Sequence, residues 1–429
     1  MRKVLIIFVL LLSAPSWIFS LELPNDPYFP SQIYLYNDNE SKYDLGYIGF
    51  YNYFKENRNS ILDRYKTYYK SYPIIAVIDT NYDLLDEDMK DRFYINKDEI
   101  PNNEYDDDNN SWVDDYEIIS IADGKTYKET TFTQEVANNL VEHLGNTLYL
   151  TNYPPVDKFE RIPYYHGHIV SSIIAAEKDN NIGIHGIVPK EVKILPITAG
   201  YKSGLYWTSI REALDYIIDL KSSGLNIVAV NMSFGGTFPK INFFGADRYI
   251  GGKGNFEDRL KKLDELGILY IAAAGNYYHS IDLTELYPAT YGLSNGIVVG
   301  AATSNGRRSA PSNYGEETVD IFAVAQFDNK TKDINDYYDR LIEIEETPYT
   351  SYATAIVSAV VGCAFILYPD CTPKQIKELI LNSYQPIEYL DHKAKYNGIV
   401  KLSGKNGTGL ITNNHLNYRL KEEICNNFN

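Results

Sequence analysis

The chain reads as a doubly wound three-layer α/β fold with a mostly parallel central sheet. Three observations predict it. Six short, near-continuous apolar runs recur between residues 74 and 323, as strands buried on both faces require. Amphipathic stretches lie between them, so strand and helix alternate. Asp79 ends the first run and Asn276 follows the fourth, and open α/β sheets bind ligands beyond their strand ends.

The elements follow in order. Arg2 and Lys3 precede an unbroken apolar run over 4–12, too short for a membrane span and suited to an export signal over residues 1–20. Cleavage after Ser20 and cleavage near Ala14-Pro15-Ser16 are both open, and an uncleaved anchor is the alternative. No later apolar run is read as long enough to cross a bilayer. Residues 21–70 form an N-terminal extension, with a helix expected within 47–69 on the stripe Phe50, Tyr53, Phe54 and Ile61. The main domain takes residues 71–403. Its strands are expected at 74–78, 192–197, 227–230, 268–273, 297–301 and 319–323, with helices at 208–220, 256–266 and 352–367. Residues 404–429 are polar and are expected to form a loose tail.

Composition narrows the function. Hydrophobic residues make up 44% of 429, enough for a large core. A formal net charge of −17 argues against nucleic acid as a partner. Tyrosine is abundant, at 39 residues, with no mechanism visible in the sequence. Three cysteines leave one unpaired in an exported chain; Cys363 reads as a core residue, while Cys371 and Cys425 are able to pair. None has zinc-ligand spacing.

Three segments carry chemistry, in the order Asp, His, Ser. They are Ile74-Ile75-Ala76-Val77-Ile78-Asp79-Thr80, His166-Gly167-His168-Ile169-Val170 and Tyr349-Thr350-Ser351-Tyr352-Ala353-Thr354-Ala355. A hydroxyl is a weak nucleophile at neutral pH. It needs a base for its proton, and the base needs a carboxylate to hold its tautomer. Ser351 opens an apolar helix, whose first amides face developing negative charge. Taken singly, Ser351 reads equally well as a helix cap, His166 as a surface residue and Asp79 as a strand-end cap.

On these segments the chain resembles the subtilisin-like serine peptidases over roughly residues 73–401. The family pattern Gly-Thr-Ser-Met-Ala-Thr-Pro is met by Tyr349 to Ala355, with Tyr349 for the leading Gly, Tyr352 for Met and Ala355 for Pro. The family's His-Gly-Thr-His is met by His166-Gly167-His168-Ile169. His168, an alternative base by proximity, occupies the family's Thr position. Asn181 to Pro189 matches the loop that follows and fixes this register. Asn81 replaces the family's Gly after the Asp.

The resemblance implies an exported serine endopeptidase with Ser351 as nucleophile, His166 as base, Asp79 orienting it, and Asn276 donating to the oxyanion. It implies a specificity pocket lined by Ser233, Phe234, Gly235, Ala273 and Gly275, and a substrate-pairing strand at Ser203, Gly204 and Leu205. No acid lies in the two pocket segments, so apolar or aromatic P1 residues are expected. Protein or peptide substrates, a monomer, and a secreted, periplasmic or cell-surface location follow. The alternative is a catalytically silent protein of the same fold that binds peptides or a surface partner. Tyr349 is able to crowd the site or to shape its far side, and adds about 1–3 kcal/mol of strain if its backbone needs positive φ.

The 87 positions between Asp79 and His166 hold an acidic insertion over about 105–117. Asp106, Asp108, Asn110, Trp112, Asp114 and Glu117 occupy positions 1, 3, 5, 7, 9 and 12 of an EF-hand-type loop. A structural Ca2+ is therefore expected there, with Val113 as a loop anchor and Ser111 where such loops place Gly. A plain solvated acidic loop is the other reading.

Overall fold

The structure is a computed structural model that describes residues 23–37, 43–80, 82–84, 86–101, 103–116, 119–122, 125–128, 166–201, 204–238, 240–243, 246–249, 253–328, 347–404, 408–412 and 415–425. The signal segment, Asn81, Glu117 and Ser203 lie outside these residues.

Every expected apolar run forms a strand. In chain order the main sheet takes β1 (Ile74–Asp79), β2 (Ile119–Ala122), β3 (Lys125–Lys128), β4 (Lys193–Thr198), β5 (Ile227–Met232), β6 (Leu269–Ala273), β7 (Gly296–Ala302), β8 (Ile321–Val324), β9 (Tyr384–Pro386) and β10 (Gly398–Val400). Across the sheet the order is β9-β10-β8-β7-β6-β5-β1-β4-β2-β3. β1 pairs in parallel with β4 on one side and β5 on the other. Parallel pairing continues through β6, β7, β8 and β10. β3 and β9 close the edges as antiparallel strands. Since later strands add on both sides of β1, the winding reverses there, and the carboxyl end of β1 is a switch point where such folds open a crevice.

The helices are α1 (Tyr47–Lys66), α2 (His166–Ala175), α3 (Trp207–Ser223), α4 (Lys253–Glu265), α5 (Thr350–Leu367), α6 (Pro373–Asn382) and α7 (Tyr418–Cys425). α5 is the central one, and all its residues are buried. This corrects the expectation that no later segment has the makings of a span. Its 18 residues are apolar enough to cross a membrane, but the whole segment lies inside the fold. A helix that is apolar all round needs cover on every side, and α5 finds it against α2, α6 and the sheet.

The N-terminal extension belongs to the same hydrophobic core as the sheet. Phe29, Tyr34 and Leu35 are buried, as are Tyr47, Phe50, Phe54 and Ile61 on α1. Buried Asp26 pairs with His185, and the Tyr47 hydroxyl meets the other ring nitrogen of His185 at 2.8 Å. Gln32 donates to the His185 carbonyl at 2.9 Å. The strap is thus fastened to the loop between α2 and β4. Many of the tyrosines work this way, with the ring in the core and the hydroxyl on an internal acceptor. Tyr82 donates to the Val77 carbonyl at 2.6 Å and Tyr65 to the Ser71 carbonyl at 3.1 Å.

The tail expected to be loose is packed. Leu410 and Ile411 are fully buried, and Leu416 nearly so. Tyr368 donates to the Leu410 carbonyl at 2.5 Å, and Asp370 takes both Lys421 of α7 and Arg64 of α1. The polar residues of this stretch masked a few well-spaced apolar ones. Leu410→Ala should therefore cost about 2–5 kcal/mol of stability by chemical denaturation. A wild-type unfolding midpoint would restore the loose tail.

Candidate active site

Asp79 is the last residue of β1 and is 1% exposed. A carboxylate there needs partners. Its Oδ1 accepts the Thr80 amide at 2.7 Å and faces His166 Nδ1 at 2.8 Å. The ionised carboxylate only accepts, so Nδ1 carries the proton and Nε2 keeps its lone pair. His166 is the first residue of α2, which comes this close because its second residue is Gly167. A Cβ at Gly167 would lie 2.6 Å from the Thr80 carbonyl oxygen and 2.9 Å from Asp79 Cβ.

His168 is turned away. It is wholly buried, with Nε2 on Asp86 at 2.8 Å and Nδ1 accepting the Asp83 amide at 3.2 Å. It is a structural histidine, and the proximity argument for it as an alternative base falls.

Ser351 is the second residue of α5, and Tyr349 holds the N-cap position. The reading of Ser351 as a simple cap therefore fails. Its hydroxyl donates to the Ser233 carbonyl at 3.0 Å, while the Ser233 hydroxyl donates to the Ser351 carbonyl at 2.8 Å. Asn231 Nδ2 donates to the Ser233 hydroxyl at 2.9 Å, and Ser358 to Asn231 Oδ1 at 2.9 Å. The end of β5 and the start of α5 are thereby locked together. Tyr349 has φ −95 and ψ 152, an extended backbone open to any residue, so no left-handed strain arises there.

Asn276 stands three residues beyond β6. Its Oδ1 accepts both the backbone amide and the hydroxyl of Thr350, each at 3.0 Å. The amide orientation is therefore set, and Nδ2 is left as the donor. It joins the first-turn amides of α5, which have no acceptor within the helix. Together they can hold an oxyanion beside Ser351. Gly275 makes the turn possible at φ +90, where a Cβ would lie 2.6 Å from Leu286 and 2.7 Å from Asn313.

The pocket segments also converge. Gly235 faces Leu286 too, at 3.2 Å from an added Cβ to Cγ. Gly236 and Tyr287 exchange main-chain hydrogen bonds at 3.0 and 2.8 Å, which pins Leu286 between the two glycines. Leu286 thus lies against both glycines. Nothing in its residue type marks it, since only the fold brings 286 to 235 and 275. Phe234 is half-buried, Ser233 and Ala273 are buried, and all lie on the β5 and β6 ends. Gly204 and Leu205 pair with Gly200 and Tyr201 in a short hairpin before α3.

The acidic insertion is partly as expected. Asp106 accepts the amides of Asn110 and Ser111 at 3.0 and 2.9 Å, and Asp108 also accepts the Asn110 amide at 3.0 Å. Ser111 has φ 78, so it takes the left-handed turn that a Gly usually makes. Two assignments are corrected. Asp114 faces away, accepting the Asn103 and Glu104 amides at 3.1 Å each. Val113 is 53% exposed and anchors nothing. The anchor is Trp112, whose ring meets Tyr216 at 4.9 Å and whose Nε1 donates to Asp219 at 3.1 Å.

Glu99 was missed. Carboxylate oxygens of Glu99, Asp106 and Asp108 lie within 4.8 Å of one another. Glu99 Oε2 is buried without a hydrogen-bond partner, and burial pushes this carboxyl's pKa up, with Asp115 and Asp108 adding to the shift. An unmatched oxygen among crowded acids fits a hard cation with oxygen ligands.

The doubly wound sheet thus carries a buried strand-end acid hydrogen-bonded to a histidine at the start of α2, and a serine in the first turn of α5. The subtilase family model matches residues 70–409, and the chain belongs to that family. It is 30% identical over 172 residues to an extracellular basic protease of Dichelobacter nodosus, covering 38% of this chain and 25% of that one. It is 24% identical over 346 residues to subtilisin-like protease 1 of Plasmodium berghei, covering 76% of this chain and 48% of the relative. The chain thus spans half or less of the length of these curated relatives. Among solved structures, a protease of Pseudoalteromonas arctica superposes with a TM-score of 0.52 at 20% identity, covering 88% of this chain and 97% of that one. The epidermin leader peptide processing serine protease of Staphylococcus aureus does so at 0.50 and 16% identity, covering 82% and 79%. Both show the fold.

Proposed function

We propose that the protein is an exported serine endopeptidase. The observation that carries this reading is the 2.8 Å hydrogen bond from His166 at the start of α2 to buried Asp79 at the end of β1, in a fold whose α5 presents Ser351 and orients Asn276. Ser351 Oγ attacks the scissile carbonyl as His166 Nε2 takes its proton. Asp79 stabilises the imidazolium that forms. The tetrahedral oxyanion is held by Asn276 Nδ2 and the Ser351 amide. His166 then protonates the leaving amine, and water attacks the acyl-enzyme with His166 again as base. The basic and apolar N-terminal pattern and the extracellular relative support export.

The closed end of the specificity pocket is Leu286, with Phe234 and Ala273 on its walls; residues 231–236 and 271–276 hold no acid, and Glu285 beside Leu286 lies 3.9 Å from Lys253. Apolar P1 residues suit it. The insertion holds a structural Ca2+ in this reading, through Glu99, Asp106, Asp108 and the Asn110 side chain. The cation supplies the positive charge that this acidic loop otherwise lacks.

Three expectations follow from this site. A fluorophosphonate should label the wild-type protein and not Ser351→Ala, and Asn276→Ala should lose about 10²–10³ in kcat with KM little changed, a magnitude taken from subtilisin and not from this chain. Equal labelling of Ser351→Ala would sink the assignment, and a wild-type protein that takes no label would favour the silent binder. A peptide-library profile should favour apolar P1 residues, and Leu286→Gly should shift it toward larger ones. Dominance of Arg or Lys would contradict the pocket. Chelation should lower the melting temperature of metal-loaded protein, because cation bound to the native state stabilises it by mass action. Asp106→Ala with Asp108→Ala should remove that response, whereas identical melts with and without chelator would leave a plain acidic loop.

A further inference from the structure

α5 is mostly apolar and wholly buried, yet Ser358 sits in its middle. A buried hydroxyl is costly unless it is hydrogen-bonded, so its partner matters. Ser358 donates to Asn231 Oδ1 at 2.9 Å, and both residues are fully buried. Ser358 stands seven residues after Ser351. That is two helical turns, so both serines lie on one face of α5, roughly 10 Å apart along its axis. Asn231 meets that face from β5, at the register level of Val77 on β1 and Ile271 on β6. β1 then ends in Asp79, β5 runs on into Ser233, and β6 leads to Asn276. Asn231 is thus in the middle strand of the three that carry the site.

The bonds run in one direction. Asn231 Oδ1 takes the Ser358 hydroxyl, so Nδ2 is the end that faces Ser233, and it donates to the Ser233 hydroxyl at 2.9 Å. A hydroxyl oxygen that accepts on one side turns its own proton to another. The Ser233 proton goes to the Ser351 carbonyl at 2.8 Å. Removing the Ser358 hydroxyl would leave Oδ1 without this donor and free the Asn231 amide to turn over. Oδ1 would then face the Ser233 oxygen, and Ser233 would donate to Asn231 in place of Ser351. The first turn of α5 would lose one of its two ties to Ser233, with no reacting group altered.

We propose that Ser358 and Asn231 are positioning residues for the nucleophile, holding the Ser351 peptide in place for attack through the Ser233 hydroxyl. The proposal rests on the peptidase reading, which supplies the reaction that this relay serves. Both side chains are buried beneath the site, so neither contacts substrate. Their effect falls on kcat and on the reactivity of Ser351, and not on KM.

The test compares Ser358→Thr with Ser358→Val, which share a shape and differ in the hydroxyl, and adds Ser358→Ala as the smallest deletion. Each variant is checked for a cooperative melt and assayed well below its midpoint. The rate of fluorophosphonate labelling and the kcat for peptide hydrolysis should fall about tenfold in Ser358→Val and Ser358→Ala, with KM within about twofold. Ser358→Thr should stay within about threefold of wild type on all three measures. If the branched variants do not fold, Ser358→Ala against wild type carries the comparison. Adding Ser358→Ala to Asn231→Ala should slow the reaction no further, because both break one relay. With a wild-type protein that labels, equal rates in Ser358→Thr and Ser358→Val, a wild-type rate in folded Ser358→Ala, a loss confined to KM, or an additive double variant would each overturn the proposal and leave the peptidase reading standing. A wild-type protein that takes no label would overturn that reading, and the proposal with it.

Discussion

The burial of Asp79 constrains everything around it. A carboxylate at the end of a strand whose six residues are all buried is tolerated only with donors brought to it. Thr80 supplies its amide at 2.7 Å and its hydroxyl at 3.3 Å. A third donor is a histidine 87 positions later, delivered by the start of α2. That delivery leaves no room for a side chain at Gly167. Asp79 Oδ2 remains buried with no hydrogen-bond partner.

α5 supplies the opposite wall. All its residues are buried, so its N-terminus is held from every side. Two strand ends are hydrogen-bonded to that point, β5 through Asn231 and Ser233 and β6 through Asn276. In the resting arrangement the Ser351 hydroxyl donates to the Ser233 carbonyl. In the proposed reaction, attack would begin with a rotation of this one hydroxyl.

The strands were legible because each depends on local sequence, and so were the strand end at Asp79 and the helix start at Ser351. A buried parallel strand is an apolar run, and a helix-start serine sits before one. What could not be read depends on residues far apart. Leu286 matters only because two glycines from other strands face it. His168 looks like His166 in sequence, and only Asp86 shows that it points elsewhere. The tail looked polar because Leu410, Ile411 and Leu416 are few, yet they are buried in the common core. The tyrosine excess had no visible reason until hydroxyls could be traced to acceptors such as the Val77 and Leu410 carbonyls.

The acidic insertion shows where reading by spacing stops. Positions 1, 3, 5 and 6 of the loop behave as spacing requires, because Asx-type hydrogen bonds over two to five residues are local. Position 9 does not. Asp114 sits at φ 58 and turns its carboxylate onto the amides of Asn103 and Glu104, groups outside the twelve-residue window. Its neighbour Asp115 turns inward instead, accepting Asn96, Asn110 and the Tyr216 hydroxyl. Burial raises the Asp115 pKa despite these donors. The loop is therefore bound to α3 through Asp115–Tyr216 and Trp112–Asp219, one helical turn apart. α3 begins two residues after Leu205, in the hairpin that borders the substrate side. The insertion is thus braced against the same element that positions that hairpin, and its acids are part of the frame.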